Sequence, residues 1–188
     1  MTLPIDREAL EMVFTPEELC TLPEEMLAGI EDEASVHFLR DIGLPSRPTP
    51  WFDLIDESDS ELGKVGACYA DMRDRWDNLP DNAGDWVLIG MVPYDDIALD
   101  VATGAVQCLP QDGEVYPLNK DLRSFAHFLY LLERERPNYD EELEQELDPE
   151  GAVRRLTAQM QQIDPEALNV PHSRWHDILD WVAYPDAR

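Results

Sequence analysis

Lysine is almost missing from this chain. Lys64 and Lys120 are the only two among 188 residues, and with twelve arginines they face forty-one acids, for a formal net charge of −27. Binding nucleic acid needs cations against phosphates, so no direct nucleic-acid partner is expected. A basic protein surface is favoured by the same reasoning, because a field of this sign steers cations inward and speeds encounter. The charge also opposes self-association at low salt, which predicts a monomer before binding. The acidity has a second reading: low Lys with high Asp, Arg and Ala suits a GC-rich or salt-tolerant genome and then says nothing about partners.

Cysteine is scarce as well. Cys20, Cys68 and Cys108 are far apart and form no C-x-x-C pair, which excludes a zinc knuckle or a redox motif. Reduced, buried thiols in a cytoplasmic protein are the expectation. The start, Met-Thr-Leu-Pro-Ile-Asp, has no basic segment followed by an apolar one, so no signal peptide is expected. No apolar run approaches the ~20 residues of a membrane span.

Catalytic signatures are lacking too. His172 and His176 stand at i, i+4, a metal-ligand spacing. But His172 follows Pro171 at a helix start, and the Glu of a zinc-protease helix is missing. Ser124 has no G-x-S-x-G elbow around it. Gly63-Lys64-Val65-Gly66 lacks the spacing and the following helix of a phosphate loop. Cys68 and Cys108 carry no reactive-thiol signature, and His37 and His127 read as partly buried or surface helix residues. The expectation is a non-enzyme that uses neither metal nor cofactor.

What the chain does have is an alternation of strand and helix signals. Thr15-Pro16-Glu17-Glu18 is a helix start, with Thr as cap, Pro in the first turn and Glu closing a capping box. Val36, Leu39 and Ile42 share a face of a helix over about 31–42, which Gly43 and Pro45 end. Trp51–Ile55 reads as a first strand, Gly66–Tyr69 as a weaker one, and Asp71–Asp85 as a long exposed loop. The apolar run Trp86–Gly90 predicts a central buried strand. Ile97–Asp100 and Ala105–Cys108 flank a turn in which Gly104 supplies positive φ, Val115-Tyr116 adds a short strand, and Leu118-Asn119 opens a helix burying Leu122, Phe125, Ala126, Leu129 and Leu132. Acidic residues 139–147 read as a solvated face or linker. Asp148-Pro149 and Asp164-Pro165 cap further helices, and a last one over about 173–182 buries Trp175, Ile178, Leu179 and Val182.

The predicted architecture is α+β: a central, mostly antiparallel sheet of about five or six strands with N-terminal and C-terminal helices. It forms a single domain over 1–188, with N-terminal helices in 1–45, the sheet and its helix in 46–135, and a helical segment in 136–188. Acidic clusters with embedded aromatics are the candidate partner-binding residues. They are Asp56, Glu57, Asp59 and Glu61; Asp71, Asp74, Asp77 and Asp81 with Trp76; Asp95 and Asp96 with Tyr94; and Asp112 and Glu114 with Tyr116. A ring gives area, and carboxylates give steering and Arg/Lys pairing. The plainer reading is that the aromatics are core and the acids solvate loops.

Ile42-Gly43-Leu44-Pro45, the strand Trp86–Gly90, the hairpin Ile97–Asp100 to Thr103–Val106, and Leu118-Asn119 before the Phe125, Phe128, Leu129 helix occur in a telling order. Over about residues 30–135 the chain resembles the SUKH superfamily, most closely its fourth family of bacterial immunity proteins. The resemblance implies a cytoplasmic, non-catalytic protein that binds and neutralises a cognate toxin domain, often a nuclease or deaminase, in competition between bacteria. A toxin acting on nucleic acid would offer a basic cleft to this acidic chain. The superfamily also holds regulators of fungal cell-wall synthesis, so a regulatory or scaffold module is the alternative.

Overall fold

The run at Trp86–Gly90 is apolar at successive positions because the sheet it joins is covered on both faces. The computed structural model describes residues 5–46, 49–56, 58–143 and 146–184. Its strands are β1 (Leu19–Cys20), β2 (Leu44–Pro45), β3 (Asp53–Leu54), β4 (Val87–Val92), β5 (Asp95–Leu99), β6 (Val106–Leu109) and β7 (Tyr116–Asn119). The first two pair with each other, and the other five form an antiparallel meander in the order β3-β4-β5-β6-β7. Short edge strands, β3 and β7, close it on either side. The helices are α1 (Arg7–Leu10), α2 (Glu33–His37), α3 (Val65–Cys68), α4 (Met72–Arg75), α5 (Leu122–Glu135), α6 (Pro149–Ile163), α7 (Pro165–Asn169) and α8 (Arg174–Ala183). The α+β expectation holds.

The main core lies between one sheet face and the long helices. Ile89, Ile97, Leu99, Val106 and Cys108 point into it, against Phe125, Phe128 and Leu129 of α5 and Leu156, Met160 and Val182 of the C-terminal helices. Trp175 sits at its centre, with ring centroids 5.4, 6.1 and 4.9 Å from Phe52, Phe125 and Phe128. Its Nε1 donates to Leu118 O and Asn119 Oδ1, both at 3.1 Å, which satisfies the indole inside an apolar site. The C-terminal helices are therefore part of this core.

The opposite face carries the largest departure from expectation. Asp71–Asp85, expected as a long exposed loop, is instead part of a helical cover over residues 65–86. These residues form α3, α4 and a 3₁₀ turn (Asp81–Asp85), and Val65, Met72, Trp76, Leu79, Ala83 and Trp86 bury against Ala98, Leu109 and Val115. Gly66–Tyr69, expected as a weak strand, belongs to this helical cover. The acids face out and the apolar residues face in, so the segment is polar in composition and amphipathic in space.

Two glycines set the sheet geometry. Gly90, at φ 148, lies in a bulge of β4, where an added Cβ would stand 2.4 Å from Asp53 O. Gly104, at φ 77, closes the β5–β6 turn, as its place in the sequence predicts. Asp100 caps that turn through Ala102 N at 3.1 Å and the Thr103 hydroxyl at 2.8 Å.

The helix ends follow local chemistry. The Thr15 capping box forms, but only one 3₁₀ turn (Pro16–Glu18) follows it. Leu118-Asn119 ends β7 instead of opening a helix, and α5 starts after Asp121, whose carboxylate accepts from Ser124 N at 2.7 Å. Asp148 caps α6 through Gly151 N at 3.0 Å. Asp164 makes no cap bond and instead accepts from Asn119 Nδ2 and Lys120 N, at 3.1 and 2.8 Å. None of the three cysteines is in a disulfide; Cys20 and Cys108 are buried, whereas Cys68, expected to be buried, is exposed. Among the described residues no helix is long and apolar enough to cross a membrane.

Candidate functional site

The β4–β5 hairpin turns through Pro93 and Tyr94, since Val92 pairs with Asp95. Tyr94 has φ 71 and is the single non-glycine residue at positive φ among the described residues. A proline followed by a residue at positive φ is a turn that usually carries Gly or Asn at the second place. A tyrosine there costs about 1–3 kcal/mol of backbone strain. Its ring is also 76% exposed, so no packing of its own offsets that strain.

Tyr94 has company. Met91, 43% exposed, pairs across the sheet with Asp53 on one side and Asp96 on the other. Directly paired residues point to the same face, so Asp53, Met91 and Asp96 form one cross-strand row. The Asp96 carboxylate accepts from the Tyr69 hydroxyl. Burial, then this carboxylate, pushes the Tyr69 phenol up to about 12. Arg75 lies 5.1 Å over Tyr69 and 5.3 Å over Trp76.

The acidic clusters divide between surface and interior. Asp71, Asp74, Asp77 and Asp81 are exposed on the outside of the 65–86 cover, but Trp76 is only 2% exposed and donates from Nε1 to Pro110 O at 2.8 Å. It is a core residue and cannot serve as a surface anchor. Asp95, 1% exposed, is likewise withdrawn. It accepts from Arg174 Nε at 2.6 Å and Gln111 N at 3.1 Å, fastening the start of α8 to the hairpin. The pair holds the Arg174 guanidinium above its ordinary range. Beside it, burial pushes the Cys108 thiol up to about 12.

Asp112 and Glu114 are exposed in the β6–β7 connection, whereas Tyr116 is half-buried, its hydroxyl accepting from Arg174 N at 3.1 Å. Asn78 exchanges two hydrogen bonds with Val115, at 2.7 and 3.0 Å. This tie brings the Asp71–Asp81 cluster beside Asp112 and Glu114, and the Tyr69–Asp96 contact joins the hairpin to the same layer. Asp56, Asp59 and Glu61 are exposed on the connection from β3 to this cover, and Glu57 lies outside the described residues. Asp56 is held below its ordinary range by hydrogen bonds from the Ser58 hydroxyl and amide.

The cover and the connection that leads into it are therefore strongly acidic. Residues 53–85 contain ten carboxylates against Lys64, Arg73 and Arg75. Lys64 pairs with Asp85 at 3.1 Å, and Arg73 donates to the carbonyls of Leu79, Pro80 and Asp81. His172 precedes the α8 cap residue Ser173 and only His176 is on the helix. Among the described residues no three His, Cys, Asp or Glu side chains could hold a metal ion.

The family model of the SUKH-4 immunity protein matches residues 5–181. The chain belongs to the SUKH-4 immunity protein family. The match takes in α6 and α8, which the sequence resemblance covered only loosely, and it makes immunity the general role. No curated protein and no solved structure matches the chain. For this SUKH-4 protein, sequence reasoning missed Met91 and Asp53. The readable signal was an apolar residue out of phase with Val92, just ahead of a Pro-Tyr turn.

Proposed function

We propose that this protein neutralises a cognate toxin domain in the cytoplasm of the cell that makes both, by occluding the toxin's basic substrate cleft without catalysing a reaction. The toxin acts on nucleic acid, the substrate whose cleft must be basic. The contact surface is the acidic layer over residues 65–86 with Asp112 and Glu114, joined to the Asp53–Met91–Asp96 row and the Tyr94 turn. The carrying observation is Tyr94: a bulky, largely exposed side chain on a backbone that disfavours it. Such strain persists where function uses it. An exposed tyrosine rimmed by acids matches the aromatic hot spots of tight interfaces.

Co-expression with the toxin encoded beside it tests the reading. Protection of the host cell is expected, and killing despite both proteins being present would overturn it. In the purified pair, Tyr94→Ala should weaken binding by about thirtyfold, the loss of a hot spot of about 2 kcal/mol. Replacing Asp71, Asp74 and Asp77 by Asn should instead slow association and flatten its dependence on salt.

A further inference from the structure

In so acidic a chain a cation readily finds a partner. Among the described residues every arginine and lysine side chain except one donates a hydrogen bond or joins an ion pair. The exception is Arg75, the last residue of α4. It is exposed, and carboxylates stand close by in sequence at Asp71, Asp74 and Asp77. Asp71 is four residues ahead, the order that favours an ion pair on a helix. Arg7 and Arg136 do pair at that separation, with Glu11 at 2.8 Å and Asp140 at 2.6 Å.

The Arg75 guanidinium lies over aromatic rings instead, 5.1 Å from the centre of Tyr69 and 5.3 Å from that of Trp76. Those rings meet edge to face, 5.3 Å apart at 78°, and form a corner. Both are fixed, Trp76 through Pro110 O and Tyr69 through the Asp96 carboxylate. A guanidinium held by cation–π contact keeps its N–H fork unspent. A fork already set in place loses little freedom on binding.

We infer that Arg75 receives a carboxylate of the toxin, a single acidic side chain set among the cations of its cleft face. Arginine is enriched among hot-spot residues, and its planar fork matches a carboxylate in a bidentate pair. Its place on the molecule supports the contact. Tyr69, under the guanidinium, donates to Asp96 of the Asp53–Met91–Asp96 row, so Arg75 adjoins that row on the acidic layer. A basic cleft that works on nucleic acid commonly keeps carboxylates as a general base or as ligands of a divalent cation. Against a face of cations alone Arg75 would repel, so it also selects among related toxins. The inference rests on the toxin-binding reading above and adds a positive point to a negative surface.

Arg75→Glu separates this contact from steering, because it makes the layer more acidic by two charges. Steering alone would then tighten binding to a basic toxin, whereas a carboxylate opposite Arg75 weakens it. In the purified pair with the toxin domain encoded beside it, Arg75→Gln should weaken binding about thirtyfold, mainly through faster dissociation, and Arg75→Glu further. Arg75→Lys, which keeps the charge without the fork, should fall between Arg75→Gln and the unaltered chain. Circular dichroism should show all three variants folded, since the side chain is exposed. Each acidic residue of the toxin is then changed in turn to arginine, and one of these variants should restore binding to Arg75→Glu while the others do not. Affinity of Arg75→Glu equal to or above that of the unaltered chain, or no restoring toxin variant, overturns the inference and leaves the immunity reading standing. Failure of the unaltered chain to bind that toxin overturns the immunity reading and this inference with it.

Discussion

Tyr94 sets two properties against each other. Its φ of 71 is comfortable for glycine and strained for a ring-bearing residue. Tyr94→Gly should therefore raise the stability of the unbound protein by about 1 kcal/mol, read as a higher Tm, while toxin affinity falls. A variant that loses stability would show that the ring is packed in solution. His127 gives a residue-scale dependence on pH. Burial, with Arg134 second, holds its imidazole below the ordinary value of 6.5. The unfolded chain then binds a proton that the folded chain resists, so stability is complete above pH 6.5 and declines as pH falls from there towards the lower folded value. His127→Gln should flatten that part of a Tm-against-pH profile, a region where the carboxylates are still ionised.

The helical cover over residues 65–86 shows how an element can be written in a sequence and be overlooked. Its buried positions 65, 72, 76, 79, 83 and 86, with half-buried Tyr69, recur at alternating steps of four and three, the period of a helix face. The acids between them, Pro80 and Gly84 suggest a loop, and the helices are indeed only single turns. The period recorded burial, and the breakers recorded length. Trp76→Ala should cost about 3–5 kcal/mol and loosen the cover, measured by urea unfolding, whereas Asp74→Asn on the outside should change stability little. The start of α5 is a smaller lesson. Apolar periodicity extends back to Leu118, but the reciprocal bonds of Asp121 and Ser124 fix the first turn. The central strands and the Gly104 turn were legible because period and turn chemistry agreed. In the candidate site the acids were legible, but their convergence was not. It depends on the Asn78–Val115 and Tyr69–Asp96 contacts between distant segments, and on whether a given carboxylate, such as Asp95, already has an arginine.

At the scale of the molecule the net charge of −27 acts as self-repulsion as well as steering. Raising salt shortens the reach of both, to a Debye length of about 3 Å at 1 M. The unbound protein should gain stability as salt rises from ~10 mM to ~0.5 M, while toxin association slows by an order of magnitude or more. Thermal unfolding and stopped-flow mixing over one salt series check both halves. An association rate indifferent to salt would place recognition on the apolar anchors alone.

The two outer strands of the sheet bear on how recognition can evolve. β3 is two residues long and includes Asp53, and β7 is interrupted by Pro117, which has no N–H to offer. Neither rim gives an incoming chain a long ladder to extend, which disfavours capture of a toxin by an added strand. Main-chain pairing accepts almost any sequence; side-chain contact does not. A protein that disfavours the first route discriminates through individual residues, and a few substitutions on its acidic layer can then redirect it from one toxin to a related one while the sheet beneath stays as it is.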